Sequence, residues 1–259
     1  MQDIKITLVQ TCLYWGDRTK NLKNIESKLQ GVETDLIVLP EMFSTGFITS
    51  KLYNVAELMY GPTFTWMLKT ASKLNAAVVG SVIIRDNNEY FNRLIWMQPN
   101  GDFKTYDKRH LFRMGDEDKQ FSMGKERTIV SLKGWNFLPL ICYDLRFPVW
   151  SRNKFVKDKY EYDAIIYIAN FPEQRRHDWN SLLVARAIEN QSYVIGVNRV
   201  GSDKNNTYKG DSSIIDPYGK PIIVLQKDKT ETITLNYSDV ESYRRSFQVG
   251  LDWDKFSIE

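Results

Sequence analysis

The stretch "DLIVLPE" at residues 35–41 is a run of apolar side chains that ends in a glutamate. The run does not alternate between apolar and polar residues, which predicts a strand covered on both faces. "AAVVGSVII" at 76–84 has the same character. A strand at 4–10, a helix at 17–30 and a second helix at 63–75 complete a βαβαβ unit. The first part of the chain therefore predicts an α/β fold.

The second half of the chain repeats this pattern. We expect strands at 134–142, 163–171 and 192–200, a helix after Pro148 and a long helix at 177–191. Two such halves favour a four-layer α-β-β-α sandwich, in which two mixed sheets pack face to face between helical layers. We predict this architecture rather than a single doubly wound sheet, a choice that rests partly on a resemblance to a known family.

Antiparallel strands are expected in two further places. Predicted strands at 90–99 and 104–111 are separated by "NGD", a typical hairpin turn. Near the end, 210–226 and 230–237 are predicted as two strands around a "DPYG" turn, followed by a short helix near 240–247. No linker rich in Pro, Gly or Ser divides the chain, so we expect one domain over residues 1–259.

Composition excludes several classes of protein. The 35 basic and 32 acidic residues are interspersed, which argues against nucleic-acid binding. No apolar stretch approaches the roughly 20 residues of a membrane span, and the N-terminus lacks the pattern of a signal peptide. We therefore expect a cytoplasmic protein that does not bind membranes. Two cysteines and two histidines argue against a disulfide framework or a thiolate zinc site, and we expect no metal and no cofactor.

Three predicted strands each carry or end in a reactive or charged residue. "DLIVLPE" ends in Glu41, the 104–111 segment carries Lys108, and "LPLIC" ends in Cys142. Side chains at strand ends converge at one edge of a sheet, where α/β proteins bind ligands. Taken singly, Cys142 is more typical of an inert core residue and Lys108 of a solvated strand end, whereas Glu41 fits a polar strand end and a site residue about equally. The residues alone leave both interpretations open.

The flanking sequences add a resemblance to a known family. "LIVLPEMFSTGF" at 36–47, "YDKRHLF" at 106–112 and "LICYDLRFPVW" at 140–150 resemble the three motifs of the nitrilase superfamily of carbon-nitrogen hydrolases, in the same order. Three spaced motifs are far more specific than one short pattern. The resemblance implies a sandwich fold and an amidase-type hydrolase with a cysteine nucleophile.

The resemblance also implies roles for individual residues. Glu41 is the expected general base, Lys108 the electrostatic stabiliser and Cys142 the nucleophile. Glu117 is a candidate for the second glutamate found in many members, and the backbone N–H of Tyr143 is the expected oxyanion donor. Members commonly form dimers, so a homodimer or higher homo-oligomer is expected here.

Within the superfamily, the motifs look most like the omega-amidase branch. That branch hydrolyses the terminal amide of 2-oxoacid amides such as 2-oxoglutaramate, and 2-oxosuccinamate and the amide of 4-methylthio-2-oxobutyrate are related candidates. Arg175 and Arg176 are predicted to bind the substrate carboxylate, and Phe43 to form a wall of the pocket. The alternatives are another superfamily activity (nitrilase, N-carbamoyl-amide hydrolase or acyltransferase) and a non-catalytic scaffold that binds a metabolite.

Two nearby features have structural interpretations. His110 is predicted to support Lys108 rather than to act as the base of a Cys-His pair, because Glu41 already fills that position of the motif. Asp144 and Arg146 are predicted to form an ion pair that supports the turn after Cys142.

Overall fold

The apolar strands of the two βαβαβ halves form the centres of two six-stranded sheets. The computed structural model describes residues 2–258. In chain order its strands are β1 (Ile4–Gln10), β2 (Leu36–Val38), β3 (Ala77–Asp86), β4 (Glu89–Met97), β5 (Phe103–Asp107), β6 (Val130–Leu132), β7 (Trp135–Ile141), β8 (Phe155–Val156), β9 (Lys159–Tyr160), β10 (Ala164–Ala169), β11 (Tyr193–Asn198), β12 (Val200–Ser202), β13 (Thr207–Lys209), β14 (Ser213–Ile215), β15 (Pro221–Val224) and β16 (Lys229–Leu235). The α-helices are α1 (Arg18–Lys28), α2 (Pro62–Leu74), α3 (Glu117–Gln120), α4 (Pro148–Ser151), α5 (Arg176–Asn190) and α6 (Tyr237–Ser246).

Both sheets are mixed. The first has the strand order β16-β1-β2-β3-β4-β5, with parallel pairing among β1, β2 and β3. The second has the order β15-β14-β11-β10-β7-β6, with parallel pairing among β7, β10 and β11. Parallel strands therefore occupy the centre of each sheet, and antiparallel strands lie at its edges.

Strand β2 explains the layered packing. Leu36 and Val38 point into the core that the two sheets share, whereas Ile37 and Leu39 pack with the apolar side chains of α1 and α2. Because successive side chains of a strand point to opposite faces, one face of β2 is covered by the second sheet and the other by the helices, and both faces are apolar. Helix α5 covers the second sheet, where Gly196 of β11 lets the helix approach closely: a Cβ there would lie 2.6 Å from the side chain of Leu183. The predicted four-layer sandwich is confirmed.

Two strand predictions are wrong. Strand β5 ends at Asp107, because the backbone beyond Lys108 turns away, and the backbone N–H of His110 donates to Asp144 across the site. The tail contains three strands rather than two. The "DPYG" turn joins β14 to β15 in the second sheet, and β16 pairs with β1 in the first. None of the helices within residues 2–258 is long and apolar enough to cross a membrane.

Candidate active site

The strand β7 places Cys142 at the end of a buried segment. Cys142 has a backbone φ of 45° and begins a short 3-10 turn that ends at Arg146. A non-glycine residue in this left-handed region is uncommon and is found where a site requires a sharp change of chain direction. The turn brings the cysteine to the wall of a cavity of about 690 Å³.

Glu41 and Lys108 meet beside this cysteine. Glu41 lies three residues after the end of β2 and Lys108 directly follows β5, and these two strands are not neighbours in the sheet. The Nζ atom of Lys108 donates to Oε1 of Glu41 at 2.9 Å, and the side chains are 1% and 0% exposed. The structure thus brings together the three residues that the motifs singled out.

Glu117 joins the same cluster. It is the first residue of α3 and is fully buried. Lys108 Nζ donates to its two carboxylate oxygens at 3.1 and 2.8 Å, and the backbone N–H of Phe112 donates to Oε2 at 2.7 Å. One ammonium group therefore contacts two buried carboxylates.

Two asparagines complete the hydrogen bonding of Glu41, and sequence reasoning missed both. The Asn170 backbone N–H donates to Glu41 Oε2 at 2.9 Å, and its side-chain amide donates to the Glu41 carbonyl at 2.7 Å. The amide of Asn92 donates to Glu41 Oε1 at 2.8 Å and to Glu117 Oε1 at 3.1 Å. The only sequence signal was a polar residue within or just after an apolar strand.

Burial and charge shift the ionisation of the cluster. Burial raises the pKa of the Cys142 thiol well above its ordinary value, the charge of Glu41 raises it further, and Lys108 opposes both effects. Burial also raises the pKa of Glu117, against the opposing charge of Lys108. Burial would lower the pKa of Lys108, but Glu117 and Glu41 raise it above its ordinary value. The resting cluster therefore holds a protonated thiol and a charged lysine.

Asp144 supports the cysteine turn, but not through Arg146. Its carboxylate accepts from the Tyr106 hydroxyl at 2.7 Å and from the Ile141 backbone N–H at 3.0 Å, and lies 2.8 Å from His110 Nδ1. Arg146 instead pairs with Asp178 at 2.5 Å. The predicted Asp144–Arg146 ion pair is wrong, because the buried carboxylate takes its partners from the strand and loop that face it. His110 contacts this carboxylate through both its backbone N–H and its ring, so it supports the cysteine turn, and its predicted support of Lys108 stays a prediction.

The two candidate arginines lie in different surroundings. Arg175 lines the cavity, with its guanidinium 5.1 Å from the centre of the Phe112 ring. Arg176 begins α5 and makes a two-pronged ion pair with the buried Asp211, with Nη2 2.8 Å from Oδ1. Of the two, only Arg175 is placed to reach a ligand in the cavity.

The structure corrects the prediction that Phe43 forms a wall of the pocket. It is fully buried in the core between the first sheet and its helices, and its ring centre lies 5.7 Å from that of Trp66. Met42, with φ 45°, turns the chain between Glu41 and Phe43, and Gly80 leaves room for the ring. The aromatic residues that do line the cavity are Trp15, Phe47, Phe112, Tyr143, Phe171 and Tyr208.

Comparisons with known proteins identify relatives of this chain. The carbon-nitrogen hydrolase family model matches residues 5–245. Omega-amidase YafV of Escherichia coli (strain K12) is 42% identical over 262 residues and covers 100% of both chains. The 2-oxoglutaramate amidase of Bacillus subtilis (strain 168) is 36% identical and covers 83% of both chains. A crystal structure of a CN-hydrolase superfamily protein from Xanthomonas campestris, with an arsenic adduct in its active site, has a TM-score of 0.97, 40% identity and 100% coverage of both chains.

Proposed function

The chain belongs to the carbon-nitrogen hydrolase family, and on that premise we propose that it hydrolyses the terminal amide of small 2-oxoacid amides to the acid and ammonia. The observation that carries the proposal is the Lys108 ammonium hydrogen-bonded to Glu41 and Glu117 beside the Cys142 thiol. The relatives named omega-amidase and 2-oxoglutaramate amidase support the choice of substrate class.

The first half of the reaction forms a thioester. Because its raised pKa keeps the Cys142 thiol protonated, the proton must leave as the sulfur attacks, and Glu41 is the base that takes it. The new C–S bond sends the carbonyl electron pair onto oxygen, where Lys108 and the backbone N–H of Tyr143 stabilise the charge. The C–N bond then breaks, and protonated Glu41 returns its proton to the departing nitrogen, which leaves as ammonia.

The second half releases the acid. Glu41 takes a proton from a water molecule whose oxygen attacks the thioester carbon, and the same donors stabilise the second oxyanion. The C–S bond breaks and the Cys142 sulfur regains the proton from Glu41. Each residue returns to its starting state, so no cofactor is consumed in this scheme. Glu117 keeps Lys108 in place through its two contacts with the ammonium group.

Substrate selection is assigned to Arg175 in the wall of the cavity. A 2-oxoacid amide carries a carboxylate remote from the reacting amide, and a guanidinium is well suited to bind it. Arg175 lines the cavity, and within residues 2–258 it forms no ion pair with a carboxylate of the chain. We assign the substrate carboxylate to this side chain.

An ammonia-release assay over a panel of substrates tests the proposal. The panel contains 2-oxoglutaramate, 2-oxosuccinamate, the amide of 4-methylthio-2-oxobutyrate, butyramide, a nitrile and an N-carbamoyl compound. We expect the 2-oxoacid amides to have the highest kcat/KM, and Cys142→Ala to abolish turnover. Preference for the nitrile or the N-carbamoyl compound would assign the chain to another branch, and unchanged hydrolysis by Cys142→Ala would refute the mechanism.

We further propose that the chain forms a homodimer or a larger homo-oligomer, as superfamily members commonly do. Size-exclusion chromatography with light scattering measures the mass directly. A monomer of 30.3 kDa at micromolar concentration would contradict this proposal.

A further inference from the structure

Asn92 lies between the two carboxylates of the site but takes no part in the steps above. It belongs to β4, is fully buried, and its Nδ2 atom is 2.8 Å from Glu41 Oε1 and 3.1 Å from Glu117 Oε1. A side-chain amide has two N–H donors, so one group can serve both carboxylates at once. The amide must point this way round, because its oxygen would repel two carboxylate oxygens.

Asn92 bridges the same pair of carboxylates as Lys108. One ammonium group cannot neutralise two carboxylates, so Glu41, Glu117 and Lys108 together carry a net charge of −1 when the thiol is protonated. An unneutralised charge is costly in a buried site unless hydrogen bonds compensate it. A neutral amide supplies two such bonds without altering the charge that Lys108 provides for the oxyanion.

The strand fixes Asn92 in this position. Asn92 is paired with Ile83 of β3, and its carbonyl accepts the Lys108 backbone N–H at 3.0 Å. The same residue thus holds the main chain of Lys108 and bridges the partners of its ammonium group. A donor on a rigid strand keeps its geometry while charge moves during the reaction.

We propose that Asn92 is a positioning residue whose side-chain amide holds the Glu41 and Glu117 carboxylates side by side and offsets their shared negative charge, with Glu41 in place to act as the base. This inference rests on the proposed amidase function. The ionisable groups that face the amide are Glu41, Glu117 and Lys108. The Cys142 thiol interacts electrostatically with all three. Burial already raises the pKa of Glu117, so loss of the amide donors should let the cluster bind a proton at higher pH.

The pH dependence of kcat/KM tests the role, measured by ammonia release from pH 5 to 9. The acidic limb of this profile is the range in which kcat/KM falls as the pH is lowered. In Asn92→Ala this limb should move to higher pH by about one to two units, since a hydrogen bond to a charged group has roughly that effect on its pKa. Activity below the limb should fall about 10- to 100-fold, and activity at high pH should return to within a few-fold of the wild type. A loss that is equal at every pH would overturn the proposal.

Two further variants make the test robust. Asn92→Asp has the same shape but adds a carboxyl group in place of the amide, so its acidic limb should also move upward, and a wild-type profile would overturn the proposal. Asn153→Ala is the matched control, because Asn153 is a buried asparagine that bonds Tyr162 and Asn190 outside the cluster. It should lower the thermal midpoint without moving the limb.

Failure of this inference and failure of the proposed function give different results. If the wild type releases ammonia from none of the amides, the proposed function is refuted. If the wild type is active and the limb of the Asn92 variants does not move, only the role of Asn92 is refuted.

Discussion

Replacing Arg175 by alanine should separate substrates that carry a carboxylate from substrates that do not. The guanidinium lines the cavity and rests on the ring of Phe112, at 5.1 Å from the ring centre. A hydrogen bond between charged groups contributes about 1.5 to 3 kcal/mol, so its loss should lower kcat/KM for 2-oxoglutaramate roughly 10- to 100-fold. Butyramide has no carboxylate, and its kcat/KM should change by no more than about threefold.

The assay compares ammonia release from the two amides by the wild type and the variant. We expect most of the loss with 2-oxoglutaramate to appear in KM, because the carboxylate is remote from the bond that breaks and is bound equally in the ground and transition states. Equal losses with both substrates would refute the assignment of the carboxylate to Arg175. A loss confined to kcat would place this side chain in the chemical step instead.

Arg176 provides a matched control one residue away. It pairs with the buried Asp211 rather than lining the cavity, so Arg176→Ala removes the partner of a carboxylate that is 1% exposed. Thermal melting should show a lower midpoint for this variant, because a buried acceptor loses a charged donor. The ratio of the two substrate activities should stay at its wild-type value.

Three other changes test the cluster and its support. Lys108→Met should lower kcat about 100- to 1000-fold in the ammonia assay, because it removes an oxyanion donor. A loss below tenfold would exclude Lys108 as that donor. Asp144→Ala should destabilise the protein by about 1 to 3 kcal/mol in urea unfolding, since it leaves buried donors of Tyr106 and Ile141 unpaired, whereas Asp144→Asn should cost less. The pKa of Cys142 is raised in the folded protein, so above pH 9.0 the thiol ionises in the unfolded chain but stays protonated in the folded one. The free energy of unfolding of the wild type should therefore fall by up to about 1.4 kcal/mol per pH unit relative to that of Cys142→Ala. Parallel pH curves for those two proteins would contradict the raised pKa.

The strands were the most predictable part of the molecule. Unalternated apolar runs identified the central strands, because burial on both faces leaves no place for polar side chains. Convergence of Glu41, Lys108 and Cys142 followed from their places at strand ends and from the family motifs. The extent of β5 was less predictable, since hydrogen bonds from residues distant in sequence decide where the chain leaves the sheet.

Partner choice within the site could not be read from sequence. Asp144 was expected to pair with Arg146 two residues away, yet it bonds groups from β5, β7 and the loop after Lys108. Arg175 and Arg176 have the same side chain, and only the start of α5 turns one toward the cavity and the other toward Asp211. Such choices depend on orientation in three dimensions, which neither composition nor spacing encodes.

The same contacts imply that the substrate itself helps to activate the thiol. Both oxygens of Glu41 already accept hydrogen bonds, from Lys108 and Asn92 on Oε1 and from Asn170 on Oε2. Burial raises the pKa of the Cys142 thiol well above its ordinary value, so the thiol keeps its proton in the resting protein. A carbonyl oxygen that gains negative charge competes with Glu41 for the Lys108 ammonium. As that charge develops, the ammonium group is drawn from Glu41 toward the oxyanion, and Glu41 can accept the thiol proton while the C–S bond forms, so proton transfer and C–S bond formation proceed together.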